Sequence, residues 1–119
     1  MMGIDNFKDL NIWKKGMELC GTTYTLTASF PKEELYGLTA QMRRACLSVP
    51  SNIAEGFCRK SGGDLKRFLL IARGSLAELE TQMLFSIQQS YLTKEKAANF
   101  LEAIEKLGRM INSFYQTVR

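Results

Sequence analysis

The sequence predicts an all-α protein, an antiparallel up-down-up-down four-helix bundle. Apolar residues recur at steps of three and four along four separate stretches, the mark of amphipathic helices. Only two prolines, Pro31 and Pro50, interrupt a chain rich in Leu, Ala, Glu and Lys. The breaks between stretches are short, which makes consecutive helices antiparallel neighbours. The 119 residues suit one domain over positions 1–119, and 45% hydrophobic residues suffice for a packed core.

The first helix is predicted from Leu10, Trp13, Met17, Cys20, Tyr24 and Thr27 on one face. "SFPKEE" ends it. Pro31 suits the first turn of a short segment, with Glu33 and Glu34 near the positive end of its dipole. Gly37 marks a second break.

The second helix, roughly 37–59, is carried by Leu38, Met42, Ala45, Val49, Ile53 and Phe57. Pro50 lies inside it. At about 100° per residue the apolar stripe keeps its phase across the proline. A polar stripe, Gln41, Arg44, Ser48, Asn52, Glu55 and Arg59, keeps phase beside it. Two stripes crossing together predict one helix kinked at Pro50, with Ser48, Ser51 or Asn52 bonding the freed backbone groups. The competing reading restarts the helix at Pro50, with Asn52 and Glu55 as a capping pair.

Gly62 and Gly63 break the pattern, and Asp64 is expected to cap the third helix. Its core stripe is Leu65, Leu69, Ala72, Leu76, Leu79, Met83 and Ile87. Leu70, Ile71, Ala77, Leu84 and Phe85 fall off that stripe. A helix apolar on several sides needs cover on several sides. Leu70, Ile71, Leu84 and Phe85 are therefore expected to form an oligomer interface; a wide core stripe with a few stray exposed apolar residues is the alternative. Thr93 caps the fourth helix, which carries Ala97, Leu101, Ile104, Leu107, Ile111, Phe114 and Val118.

Catalytic chemistry has little to build on. The chain has no histidine, which excludes Ser-His and Cys-His pairs and the Glu-x-x-His ligands of di-iron bundles. Cys20, Cys46 and Cys58 match no zinc spacing; Cys20 and Cys46 fall on or near apolar stripes as small core residues. Glu55 is expected to pair with Arg44 or Arg59 rather than to act with Glu78 as an acid and base. "GGDLKR" lacks the spacing of a phosphate-binding loop. No enzyme activity, cofactor or metal is expected. "MMGIDNFKDL" has no apolar h-region, and no apolar run approaches the roughly 20 residues of a membrane span. A reduced, cytoplasmic protein is expected.

The net charge of +4 is unevenly spread. Residues 41–75 hold seven basic residues against two acidic ones, whereas the rest of the chain is close to neutral. Arg59, Lys60, Lys66 and Arg67 flank one hairpin tip, and Arg43 and Arg73 extend the positive region along the adjoining helices. Phosphate binding is the functional reading. The alternative is that Arg59 and Lys60 merely oppose a helix dipole, and that Lys66 and Arg67 are solvated. No aromatic residue is read as interleaved with these cations, which argues against stacking of single strands.

Several segments together resemble a known family: "FKDLNIWKK" at 7–15, Phe30-Pro31, Glu34, Tyr36-Gly37-Leu38, Gln41, Arg44, "SVPSNIAEG" at 48–56 and "GSLAELE" at 74–80. The chain resembles the small four-helix-bundle proteins encoded within intervening sequences of bacterial large-subunit ribosomal RNA genes, often labelled ribosomal proteins. The resemblance implies an antiparallel bundle assembled as a homopentamer. It also implies kinship with the accessory variability protein of diversity-generating retroelements, a basic pentamer that binds nucleic acid and a reverse transcriptase. This chain departs from that relative in being only mildly basic. The leading expectation is a non-enzymatic oligomer that binds RNA or DNA and presents it to a nucleic-acid-processing protein; a protein-interaction scaffold is the alternative.

Overall fold

The computed structural model describes residues 3–119. Among them lie four long helices: α1 (Asn11–Thr27), α2 (Leu38–Cys58), α3 (Gly62–Gln88) and α4 (Lys94–Thr117). They form a bundle in which α2 packs against α1 and α3, and α4 closes the circuit against α3 and α1. The body is an elongated 44 × 25 × 19 Å.

Asn6 starts the fold by accepting a hydrogen bond from the Lys8 amide, at 2.9 Å, in a 3-10 turn over Phe7–Asp9. The Phe7 ring then meets Trp13 edge-on, with centroids 5.5 Å apart. The inward face of α1 differs from the expected stripe. Ile12, Gly16, Leu19, Cys20, Thr23 and Thr27 are buried, while Met17 and Tyr24 are 45% and 42% exposed. These two lie roughly 80–100° round the helix from Gly16. The buried threonines are tolerated because each hydroxyl donates to a carbonyl one turn back: Thr23 to Leu19 and Thr27 to Thr23, both at 2.8 Å. With the hydroxyls satisfied, the methyl groups pack as apolar surface.

The link to α2 contains a 3-10 turn over Lys32–Glu34, with Pro31 before it. Glu34 then caps α2 from outside. Its Oε1 accepts from the Leu38 amide at 3.1 Å and its Oε2 from the Tyr91 hydroxyl at 2.9 Å. A Cβ on Gly37 would come within 2.9 Å of that Oε1, so the glycine leaves room for the carboxylate. These two hydrogen bonds, the Leu38 amide first, hold the Glu34 carboxyl below its ordinary range.

Helix α2 runs unbroken through Pro50, and the restart reading does not apply. Proline removes the amide that would bond the Cys46 carbonyl. That carbonyl instead accepts from the Cys20 thiol of α1, at 3.1 Å. The expected local donors do something else: Asn52 donates to the Ser48 carbonyl and hydroxyl at 2.7 and 2.9 Å, and Ser48 bonds Ser75 of α3 at 2.8 Å. The polar stripe of α2 thus laces α2 to α3. Met42, Val49 and Ile53 are fully buried, as the second apolar series requires.

Ser61, not Asp64, caps α3: its hydroxyl accepts from the Asp64 amide at 3.4 Å. Gly62 and Gly63 sit inside the first turn, where amides lack intrahelical partners in any case. A Cβ on Gly62 would collide with the Arg119 carbonyl at 1.7 Å. The core stripe from Leu65 to Met83 is buried. Leu70, Ile71, Leu84 and Phe85 are 46%, 43%, 50% and 45% exposed, outside the core of the single chain. Thr93 caps α4 by accepting from the Lys96 amide at 3.2 Å. Phe100, outside the expected series, is buried there beside Ala97, Ile104, Leu107 and Ile111.

Candidate functional site

The turn between α2 and α3 spans Arg59 to Ser61 and brings the basic residues together. Gly56 makes this tip compact. A Cβ there would lie 2.7 Å from Phe68 Cβ and 3.3 Å from Leu65 Cα, so only glycine allows the two helices to approach so closely. The chain leaves α2 through Lys60, whose φ is +60°, in the left-handed region. Glycine is the usual residue at such a helix exit, and a lysine there costs on the order of 1 kcal/mol.

Four cations surround this turn, in two classes. Arg59 is paired with Glu55 one turn back, through Nε and Nη2 at 3.1 Å each. Arg67 is paired with Asp64 at 3.3 Å. Lys60 and Lys66 have no carboxylate within ion-pair distance among the described residues. These lysines therefore carry the net charge that the tip offers to an anion.

An aromatic ring supports every one of the four. Arg59 and Arg67 both lie over Phe68, with guanidinium carbons 5.3 and 4.6 Å from the centroid. The Lys60 ammonium lies 5.5 Å from the Phe57 centroid, and Lys66 lies 4.8 Å from Tyr115 of α4. This corrects the expectation that no aromatics accompany the cations. Phe57 and Phe68 were visible in the sequence, two residues before Arg59 and one after Arg67. Tyr115 was not, because only the fold carries α4 to this end.

The two outlying arginines do not join the tip. Arg43 lies sixteen positions before Arg59 on the same helix, or about 24 Å away at 1.5 Å per residue. Its Nε donates to the Thr27 hydroxyl at 3.0 Å and its guanidinium sits 4.4 Å from the Tyr24 centroid, tying α2 to α1. Arg73 lies further along α3, in a groove of about 260 Å³ shared with Glu80, Glu105 and Arg109.

Glu55 is held by Arg59. Among the described residues no group of three or more Cys, Asp or Glu side chains is placed to hold a metal ion. Cys20, Cys46 and Cys58 are all free thiols, the first two buried. The hydrogen bond to Cys46, and then burial, push the Cys20 thiol well above its ordinary value. Among the described residues no helix is long and apolar enough to cross a membrane.

Comparison with known proteins bears on the fold and the family. The fold is shared with a solved structure, a protein of unknown function from the S23 ribosomal protein family of Bacteroides thetaiotaomicron. The TM-score is 0.79 at 20% identity, covering 89% of this chain and 99% of that one. Among curated proteins, none matches the chain. The family described as 23S rRNA-intervening sequence protein matches residues 8–113, nearly the whole length, and the chain belongs to that family.

Proposed function

We propose that this chain is a non-enzymatic helical bundle that assembles into a homopentameric ring in the cytoplasm and binds RNA or DNA through the α2–α3 tip. Lys60 is the observation that carries the reading. A charged residue held in a backbone conformation that favours glycine, with no carboxylate beside it, is kept at a cost to stability. Lys66 supplies a second unpaired charge, and Arg59 and Arg67 complete the surface. Arg43 and Arg73 are remote from it and contribute to the general field only. The exposed Leu70, Ile71, Leu84 and Phe85 of α3 supply the contact between copies. A ring repeats the tip on each copy, so weak phosphate contacts add by avidity. A nucleic-acid-processing protein is the natural further partner for such a ring.

Binding should be sequence-tolerant and should weaken steeply with salt. The test is retardation of structured RNA, single-stranded RNA and duplex DNA at physiological salt, with light scattering for mass. Lys60→Glu with Lys66→Glu should abolish retardation while the mass stays near five times 13.5 kDa. Failure of the unaltered protein to retard any of the three would refute the nucleic-acid reading. A scaffold would then remain, favoured by the exposed α3 face and by the internal pairing of both tip arginines.

A further inference from the structure

We infer that the tip is built to engage unpaired bases as well as phosphates, so that its ligand class is single-stranded or looped nucleic acid rather than a regular duplex. The inference rests on the nucleic-acid reading above and deepens it. Its basis is the way Arg59 and Arg67 are held.

A guanidinium group has five N–H donors around its rim and two flat faces. In Arg59 one donor edge is taken by Glu55, which accepts from Nε and Nη2 at 3.1 Å, and the guanidinium carbon lies 5.3 Å from the Phe68 centroid. In Arg67 a single nitrogen, Nη2, donates to Asp64 at 3.3 Å, and the guanidinium carbon lies 4.6 Å from the centroid of the same ring. The carboxylates offset the charge and occupy part of each donor rim. What each arginine still presents is its outer face. About half of each side chain is exposed, 48% for Arg59 and 56% for Arg67. Two planar cations already paired with carboxylates and set beside one phenyl ring offer less charge to a phosphate than the unpaired lysines do. They are good platforms for a flat, polarisable ring, and unpaired bases stack on arginine planes in this manner.

The lysines complete the division of labour. Lys60 and Lys66, without carboxylate partners, are point charges suited to phosphate oxygens on either side of the platform. A duplex would satisfy the lysines and leave the platform idle, because its bases are stacked on one another. A single strand or loop satisfies both. The close approach of Gly56 brings the backbone carrying Phe68 against the end of α2, beside Arg59.

The experiment compares wild-type protein with Arg59→Lys/Arg67→Lys, which keeps every charge and removes both planes. Probes of equal length are single-stranded RNA, single-stranded DNA of the same sequence, abasic single-stranded DNA and duplex DNA. Wild type should bind the base-bearing single strands about five- to tenfold more tightly than the abasic strand. In the double variant that advantage should vanish, so that intact and abasic strands bind with equal affinity and equal salt dependence. The two base-bearing strands separate RNA from DNA as the preferred source. Equal binding of intact and abasic strands, tighter binding of the duplex, or an advantage that survives the arginine replacements would overturn the platform and leave phosphate binding intact. Absence of binding to every probe would overturn both.

Discussion

Gly16 of α1 lies directly against the ring of Pro50 on α2: a Cβ on Gly16 would stand 3.4 Å from both the Cβ and the Cδ of the proline. This is ordinary van der Waals contact, whereas the same addition at Gly56 would meet Phe68 Cβ at 2.7 Å. The two glycines should therefore respond in opposite ways. Gly16→Ala should leave stability unchanged or raise it by up to about 1 kcal/mol, the helix propensity gain. Gly56→Ala should lower it by about 1–3 kcal/mol through overpacking. Urea denaturation of both variants distinguishes them; equal effects would mean that the tip is less tightly packed than described.

Pro50→Ala should leave helix content unchanged by circular dichroism, because α2 already passes through the proline. Its stability should rise by less than the roughly 3 kcal/mol propensity difference between the two residues. The restored amide must compete for a carbonyl that Cys20 already serves, and the ring's packing is lost. A large gain in helix signal would show that α2 is frayed at residue 50 in solution.

Of the three thiols, Cys58 alone is exposed. An aromatic disulfide reagent should titrate it rapidly in the native protein, with Cys20 and Cys46 reacting only on unfolding. Rapid native labelling of Cys20 would show that α1 separates from α2 on the timescale of the assay.

The link between Glu34 and Tyr91 makes stability fall at both ends of the pH scale. Glu34 is held below its ordinary value of 4.5 by the Leu38 amide and the Tyr91 hydroxyl. Its contribution is complete above pH 4.5 and is lost as pH falls through the depressed value. Tyr91 is raised above 10, first by its bond to Glu34, so its contribution is complete below pH 10 and lost as pH rises through the raised value. Glu34→Gln should lower the melting temperature near neutral pH and flatten its acid slope. Tyr91→Phe should remove most of the alkaline decline. Unchanged melting profiles would refute the coupling.

Lys60→Gly should raise stability by about 1 kcal/mol, by removing the left-handed strain, and should weaken nucleic-acid binding. Chemical denaturation and retardation on the same samples check the two effects together. A stabilised protein with full binding would remove Lys60 from the site.

Leu84→Lys and Leu70→Lys should weaken assembly without unfolding the chain, since both side chains are already about half exposed. Sedimentation should show a shift to smaller species. Unchanged mass in both variants would place the interface elsewhere.

The sequence was most readable where side-chain type and position agree. In α2 and α3 the core is leucine, valine, isoleucine and methionine at helical steps, so periodicity located the helices and their buried faces. In α1 the expected Cys20 and Thr27 are buried, but the inward Gly16 and Thr23 are featureless or polar by type, and the more hydrophobic Met17 and Tyr24 drew part of the stripe to the wrong side. Nothing local could reveal that Cys20 serves a carbonyl twenty-six residues away. Charge clustering around the tip was legible because its members are close in sequence. The split into paired arginines and unpaired lysines was not, because it depends on which side chain reaches Glu55 or Asp64.

The bond from Cys20 to Cys46 also bears on the order in which the molecule can form. A twenty-one-residue segment with proline at its thirteenth position has a weak point that local interactions do not repair. The missing donor arrives only when α1 has docked. The continuity of α2 is thus a product of tertiary structure, and the α1–α2 pair should form cooperatively. A peptide spanning residues 38–58 alone should break near its middle, while one spanning 11–58 has the thiol needed to close it.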